Sequence, residues 1–343
     1  MQNKNLKLKV KKIFIFILFF LLLFILFFYK TKKNYAQQFS LSLSPPLIET
    51  IIKPGKSILI AYTLINYGDP TILTAKVLPF EPKNNFGQIK IKEEFEGPIR
   101  FILDNANFNL GQDFFLKTND REQILLRIRV PEKTPEGDYY YTLLVNSQPQ
   151  LSQEEKSASF AKATIGSNIL ITVTQTGKID IKPKIAIFDV LPRLRFSFLG
   201  KTINFFDSTD LIPLVLIVEN KGNNLIKPEG NIILKGNLNE KAEFIILPQN
   251  ILSQSQRLVS ATPSATINCP SSSKINACKN PVSLIISGFF LGFYQLSTSL
   301  VFGENSPQIS ASTSFFAFPI KIFFALIFII LITIFIIRKF KDE

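Results

Sequence analysis

This chain of 343 residues has no histidine, no tryptophan, a single methionine and only two cysteines. The absence of histidine removes the commonest general base and metal ligand. A Ser-His-Asp triad, a Cys-His dyad and a His-bearing zinc site are therefore excluded. An enzyme would be left with a Ser-Lys or carboxylate-only mechanism, and no constellation of residues points to either. The expectation is a non-enzymatic protein with no catalytic residue, no cofactor and no metal site. Phe, Ile, Lys and Asn are abundant, and all four are encoded by A/T-rich codons, so base composition accounts for the 34 phenylalanines.

Acids are missing from the first 33 residues, which carry eight lysines, and this local absence explains most of the formal +13 charge. The tail Arg338–Glu343 adds a net +1 and Lys321 one more, leaving about +3 on residues 34–320, where acids and bases are interspersed. Surfaces that bind nucleic acid cluster their positive charge. Here the excess flanks apolar segments, so no nucleic-acid partner is expected.

Two apolar runs sit near opposite ends, Ile13–Tyr29 and Ile322–Ile337. The first follows Lys4, Lys7, Lys9, Lys11 and Lys12; the second is followed by Arg338, Lys339 and Lys341. Loops rich in Lys and Arg remain cytoplasmic, so the bulk of the chain is expected outside the cytoplasm, in a single-pass protein of the cell membrane. The first run is longer than a typical signal-peptide core and just short of a span. It is read as a cleaved export signal, with a possible cut after Ala36, or as an uncleaved anchor. The second run has Thr333 as its sole polar residue, is prolonged on its outer side by Phe315–Phe318, and reads as a transmembrane helix.

Between these runs apolar residues alternate with a period of two, the mark of strands with one buried face. Ile58, Ile60, Tyr62 and Leu64 share one face, and Ile124, Leu126, Ile128 and Val130 another, with Arg127 and Arg129 turned to water. Helical periodicity is lacking outside the apolar runs. The pattern then repeats. A strand ending in Asn66-Tyr67-Gly68 is matched by one ending in Asn220-Lys221-Gly222, and Gly137-Asp138-Tyr139 by Gly292-Phe293-Tyr294. The expected fold is all-β, with two tandem Ig-like β-sandwiches flanked by the two apolar helices. The expected boundaries are 1–36 for the signal or anchor, 37–177 and 178–303 for the sandwiches, 304–315 for a polar linker, 316–338 for the transmembrane helix and 339–343 for a cytoplasmic tail.

Two long polar insertions, Ser147–Ala163 and Ser253–Asn280, interrupt the strands and read as surface loops. The second holds Cys269 and Cys278, which outside the cytoplasm would pair and close that loop, worth about 2–3 kcal/mol. Asp104–Gly111 has the alternating Asn of a calcium loop, but Gly111 falls one position late and Leu116 stands where a bidentate Glu is needed. It reads as a turn-rich connection. Glu93, Glu94 and Glu96 read as a solvated edge, and of Tyr139, Tyr140 and Tyr141 at least one belongs to the core.

Three segments together carry a family likeness: Ser44-Pro45-Pro46-Leu47-Ile48-Glu49 leading to Lys53-Pro54-Gly55, Val130-Pro131 through Gly137-Asp138-Tyr139, and Glu219-Asn220-Lys221-Gly222-Asn223 before Lys227-Pro228-Glu229-Gly230. Their order resembles the WxL-interacting proteins of bacterial cell envelopes, which have an export signal, two Ig-like domains and a C-terminal membrane helix with a basic tail. The resemblance implies peptidoglycan association through the first domain and a protein partner through the second. This chain departs from it in lacking tryptophan and in its Ser-rich, cysteine-bearing insertion, so no binding residue is carried over. The expected role is a membrane-anchored surface protein that binds a cell-wall polymer or another surface protein through its Ig-like domains. The alternative is an assembly chaperone or filament subunit that acts by β-strand complementation.

Overall fold

The computed structural model describes residue 20 and residues 40–105, 107–148, 162–192, 194–198, 201–237, 239–263, 281–303 and 306–341. The first apolar run (Phe20 apart), the centres of both polar insertions, and Cys269 and Cys278 with their expected disulfide lie outside the described residues.

The first sandwich comprises β1 (Leu41–Ser44), β2 (Leu47–Ile52), β3 (Ser57–Asn66), β4 (Thr71–Pro82), β5 (Ile89–Ile91), β6 (Arg100–Leu103), β7 (Asp113–Leu116), β8 (Arg121–Arg129), β9 (Gly137–Ser147) and β10 (Thr164–Val173). One sheet has the order β1-β3-β8-β6 and the other β2-β10-β9-β4-β5, with β7 also on β4. Pro45 and Pro46 separate β1 from β2, and the chain changes sheet there because proline supplies no N–H to continue a ladder. Alternation decides which side chains meet. Tyr62, Leu64, Ile124, Leu126 and Ile128 enter the core from one sheet, and Leu143, Val145, Ile169 and Ile171 from the other. Each such side chain contributes about 1.5–3 kcal/mol on burial.

The second sandwich repeats this plan with β11 (Pro183–Val190), β12 (Leu194–Phe198), β13 (Lys201–Asp207), β14 (Ile212–Asn220), β15 (Glu229–Gly236), β16 (Lys241–Ile245), β17 (Ser255–Leu258), β18 (Leu284–Ile286), β19 (Gly292–Val301) and β20 (Ile309–Phe318). Its larger sheet, β12-β13-β20-β19-β15-β16, mirrors the first domain. β13 runs parallel to β20 as β2 runs parallel to β10, and the neighbours beyond are antiparallel in both. The chain is all-β, two Ig-like sandwiches in tandem.

The repeated Asn-x-Gly is one device used twice. Asn66 and Asn220 are each buried at the end of a central strand, 1 % and 0 % exposed. In each, Oδ1 accepts the N–H two residues on, from Gly68 or Gly222. Nδ2 donates to carbonyls of the facing loops: Asp69, Leu116 and Lys117 in one copy, Asn224, Ile251 and Leu252 in the other. A short amide thus satisfies backbone groups that the turn would otherwise leave buried and unpaired.

Three expectations are corrected here. The linker expected at 304–315 is largely strand: β20 pairs with β19 from Ile309 to Ala317 and with β13 from Phe315 to Phe318. Its outward serines (Ser310, Ser312, Ser314) gave it a polar composition, while its inward side adds Phe315 and Ala317 to the core. Phe315–Phe318 therefore belong to the sandwich, and the helix α1 spans Ile320–Lys341 rather than 316–338. The second polar insertion begins late, because Ser255–Leu258 is a strand on β14.

α1 follows β20 with only Pro319 between, and the Phe323 N–H donates to the Pro319 carbonyl at 2.9 Å. Its stretch Ile320–Arg338 has a mean hydropathy of 3.1, long and apolar enough to cross a membrane, and none of it is buried against the rest of the chain.

Candidate functional site

The two sandwiches meet on the outer face of the β2-β10-β9-β4-β5 sheet. Leu170 of β10 and Phe80 of β4 would face water in an isolated domain, yet they are 3 % and 5 % exposed. The Phe80 ring stacks on Tyr140 of β9 with centroids 5.8 Å apart. The contact is closed by two loops of the second sandwich, one after β14 and one between β16 and β17.

Asp138 is the hinge pin of this junction. From its own sheet it accepts hydrogen bonds from the Tyr140 hydroxyl (2.9 Å) and the Thr172 hydroxyl (2.7 Å). From the second sandwich it accepts the Asn224 side-chain amide (2.9 Å) and the Leu225 N–H. Asn224 is itself held by accepting the Asp180 N–H at 2.7 Å. The Tyr140 oxygen in turn accepts the Ser253 N–H at 2.8 Å. Burial and the neighbouring Asp138 charge push the Tyr140 phenol well above its ordinary pKa, so it remains a donor.

Beside this pin lies a cleft of about 400 Å³ walled by both domains. Leu47, Glu49, Phe80, Ile89 and Leu170 supply the first sandwich's side, and residues 248–252 with Arg257 the other. Lys227 bridges the mouth to Glu49 at 3.0 Å, and the Asn250 side-chain amide donates to the same carboxylate. Burial pushes the Glu49 carboxyl up, but those hydrogen bonds and the lysine charge outweigh it and hold the group below the ordinary carboxylate value.

Arg257 is half-buried. Its guanidinium donates to the Asn250 carbonyl at 2.6 Å and rests against Gly87, where a Cβ would come within 2.6 Å of it. Burial lowers its pKa without displacing its charge, and among the described residues it forms no salt bridge. The Gln249 Oε1 and Asn250 Oδ1 atoms are buried close by without a hydrogen-bond partner. The cleft therefore offers an unneutralised cation beside apolar walls, while those two oxygens lie beneath its surface. That combination suits a ligand with apolar side chains and a carboxylate.

The strand that supplies Leu47 and Glu49 to the cleft is an edge strand. β2 pairs with β10 alone, leaving its other edge free of any described strand, and its outward residues Leu47 and Ile51 are 41 % and 62 % exposed. An extended chain laid along such an edge gains backbone hydrogen bonds at every second residue.

The residues singled out in the sequence are dispersed. Glu96 pairs with Lys92 on an exposed edge, apart from the cleft. Asn105 brackets β8, donating to the Gln123 carbonyl and accepting the Leu125 N–H, so the Asn-rich stretch braces backbone. Tyr141 is core and Tyr140 belongs to the junction. Among the described residues no three His, Cys, Asp or Glu side chains are grouped as metal ligands. Asn250, Ser253 and Arg257 gave no sequence signal because they lie in and beside a segment of loop-like composition. Asp138 stood in the sequence only as the middle of the repeated Gly-x-Tyr motif, with no role attached to its carboxylate.

No family model matches this chain, and no curated protein matches it. Among solved structures it is similar to the class 5 fimbriae chaperone CfaA, at 10 % identity over 80 % of this chain and 99 % of that one, with a TM-score of 0.34. It is also similar to the E. coli chaperone DraB, at 14 % identity over 81 % and 98 %, with a TM-score of 0.35. A third similarity is to the CsuC-CsuE chaperone-tip adhesion subunit complex of Acinetobacter baumannii, at 12 % identity over 79 % and 97 %, with a TM-score of 0.34. At these values no functional argument rests on them.

Proposed function

We propose that this chain is a membrane-tethered, non-enzymatic binding protein of the cell envelope that holds an extended segment of another surface protein in the cleft between its sandwiches. The observation that carries this reading is the union, in one cleft, of the half-buried Arg257, without a salt bridge among the described residues, with an apolar wall that includes Leu47 of the edge strand β2. A polypeptide answers these features: its apolar side chains meet the wall, a carboxylate meets the guanidinium and its backbone pairs with the edge strand beside the cleft. A cell-wall glycan fits less well, because Phe80, the aromatic residue lining the cleft, is 5 % exposed and stacks on Tyr140 rather than offering a free face.

The tether is α1, whose apolar length matches a bilayer core and whose basic end keeps it oriented with the sandwiches outside. The envelope-protein resemblance of the strand and turn motifs agrees with this placement. Because the helix continues a core strand, the protein acts where it is anchored, as a receptor or assembly subunit rather than a released carrier.

The test is binding of the full chain in lipid nanodiscs to extended peptides of alternating apolar and polar residues, beside peptidoglycan fragments. Peptides should be retained, and Arg257→Gln should weaken them by about 10–100-fold, the worth of a charge-assisted hydrogen bond. Retention of glycan alone, or indifference to Arg257→Gln, would reject the reading.

A further inference from the structure

The end of the second sandwich from which α1 leaves is ringed by exposed apolar side chains. The turn from Asp207 to Asp210 grips the first turn of the helix. Asp207 accepts the Lys321 N–H, and the Lys321 ammonium lies 3.5 Å from Asp207 and 3.2 Å from the Thr209 hydroxyl. The loop before β19 is fastened to the same turn, the Phe290 N–H donating to the Ser208 carbonyl at 2.9 Å. This tier presents Leu211, Phe289 and Leu291, which are 39 %, 58 % and 44 % exposed.

One register step from the helix lies a second tier across four adjacent strands. Phe316 of β20 is paired with Phe293 of β19 and with Phe205 of β13, and Phe205 with Leu194 of β12. Ring centroids of Phe293 and Phe316 are 4.6 Å apart, and those of Phe316 and Phe205 5.7 Å. All four point away from the core, whose inward neighbours are Phe206, Tyr294, Phe315 and Ala317.

Along the two central strands the apolar character stops there, while on the flanking pair it runs one step further, through Phe196 (54 % exposed) and its register partner Ile203. The next outward residues along the two central strands are Ser314, Ser312 and Ser310 on β20 and Gln295, Ser297 and Ser299 on β19. A face kept apolar for folding would not change so sharply along a single strand. A face that meets a boundary between two solvents would.

We infer that this aromatic end of the second sandwich lies in the headgroup layer of the membrane that α1 spans, so that the domain rests on the bilayer and does not swing above it. The inference rests on the membrane-spanning reading of α1. Phe316 is four residues from Ile320, at most about 13 Å along an extended strand. A strand tilted as sandwich strands are brings it closer to the headgroup layer that flanks the roughly 30 Å core. Exposed rings at that depth are favourable, since aromatic side chains concentrate at membrane interfaces. The joint permits no retreat, because Pro319 is the only residue between strand and helix and Lys321 is gripped from the side.

The absence of tryptophan from the chain makes the test clean. Single tryptophans are placed at Phe289, Phe293, Ile329 in the helix and Phe115 on the first sandwich, and the full chain is reconstituted with lipids brominated near the headgroup or near the chain ends. Trp fluorescence of Phe289→Trp and Phe293→Trp should be quenched by shallow bromines at least about threefold more than that of Phe115→Trp. Ile329→Trp should be quenched best by deep bromines. Quenching of Ile329→Trp with Phe289→Trp and Phe293→Trp no more quenched than Phe115→Trp would overturn the inference and leave the span intact. An unquenched Ile329→Trp would overturn the span itself, and the inference with it.

Discussion

Replacing Asp138 by alanine should loosen the contact between the two sandwiches by about 3 kcal/mol. The figure follows from what each donor can do afterwards. Tyr140 already has the Ser253 hydroxyl within 3.2 Å and can turn to it, so its loss is small. The Thr172 hydroxyl can rotate. The Leu225 N–H and the Asn224 amide have no substitute on their side of the junction, and both donate to Asp138 across it. An unsatisfied buried N–H costs about 1–3 kcal/mol and the side-chain amide about 1 more. Such a change raises the population of the opened junction roughly 100-fold. The assay is hydrogen exchange at the Leu225 amide in the full chain, with urea unfolding alongside. Asp138→Asn keeps one acceptor oxygen and should fall between the parent and the alanine variant. Exchange at Leu225 within about threefold of the parent in Asp138→Ala would refute the reasoning, since it would mean that the pin carries none of the junction's stability.

Three further outcomes are expected. The Glu49 bridge should fail in acid: its folded pKa lies below the ordinary 4.5, so its contribution is complete above that pH and lost as the pH falls through the folded value. With both side chains over a third exposed, the effect is at most about 1 kcal/mol, read as a fall in the Ser253 protection factor (exchange corrected for its intrinsic pH dependence) that Glu49→Gln abolishes. A chain ending at Gly303 should lose the cooperative unfolding of its second sandwich, because β20 supplies Phe315 to the core and pairs on both sides, whereas one ending at Phe318 should keep it. Asn220→Ala should cost about 2–3 kcal/mol, and Asn220→Asp more, since a carboxylate would face the carbonyls of Asn224, Ile251 and Leu252; thermal melts in parallel would show the order.

Alternation made the sandwiches legible, and Asn-x-Gly together with Gly-x-Tyr made the duplication legible, because those signals are local and repeat on the chain. The end of the second domain was misread for an equally physical reason. Composition averages the two faces of a strand, and β20 pairs three outward serines with the inward Ile309, Ala311 and Thr313 before its phenylalanines begin. Only the ladder to β19 and β13 tells it from a linker. The cleft was not legible at all. Glu49, Asn250 and Arg257 are about two hundred residues apart at the extremes, and each is an ordinary polar residue until the two sandwiches bring them together.

The central claim is that the cleft holds an extended segment of another protein, and photo-crosslinking in living cells tests it most directly. A photoreactive side chain at Leu47 or Ile89, both lining the cleft, should give a discrete polypeptide adduct that Arg257→Gln diminishes. The same probe at Ile102, 53 % exposed on an edge of the opposite sheet, should give none. Adducts at Ile102 but not at Leu47 or Ile89, or cleft adducts unchanged by Arg257→Gln, would contradict the account.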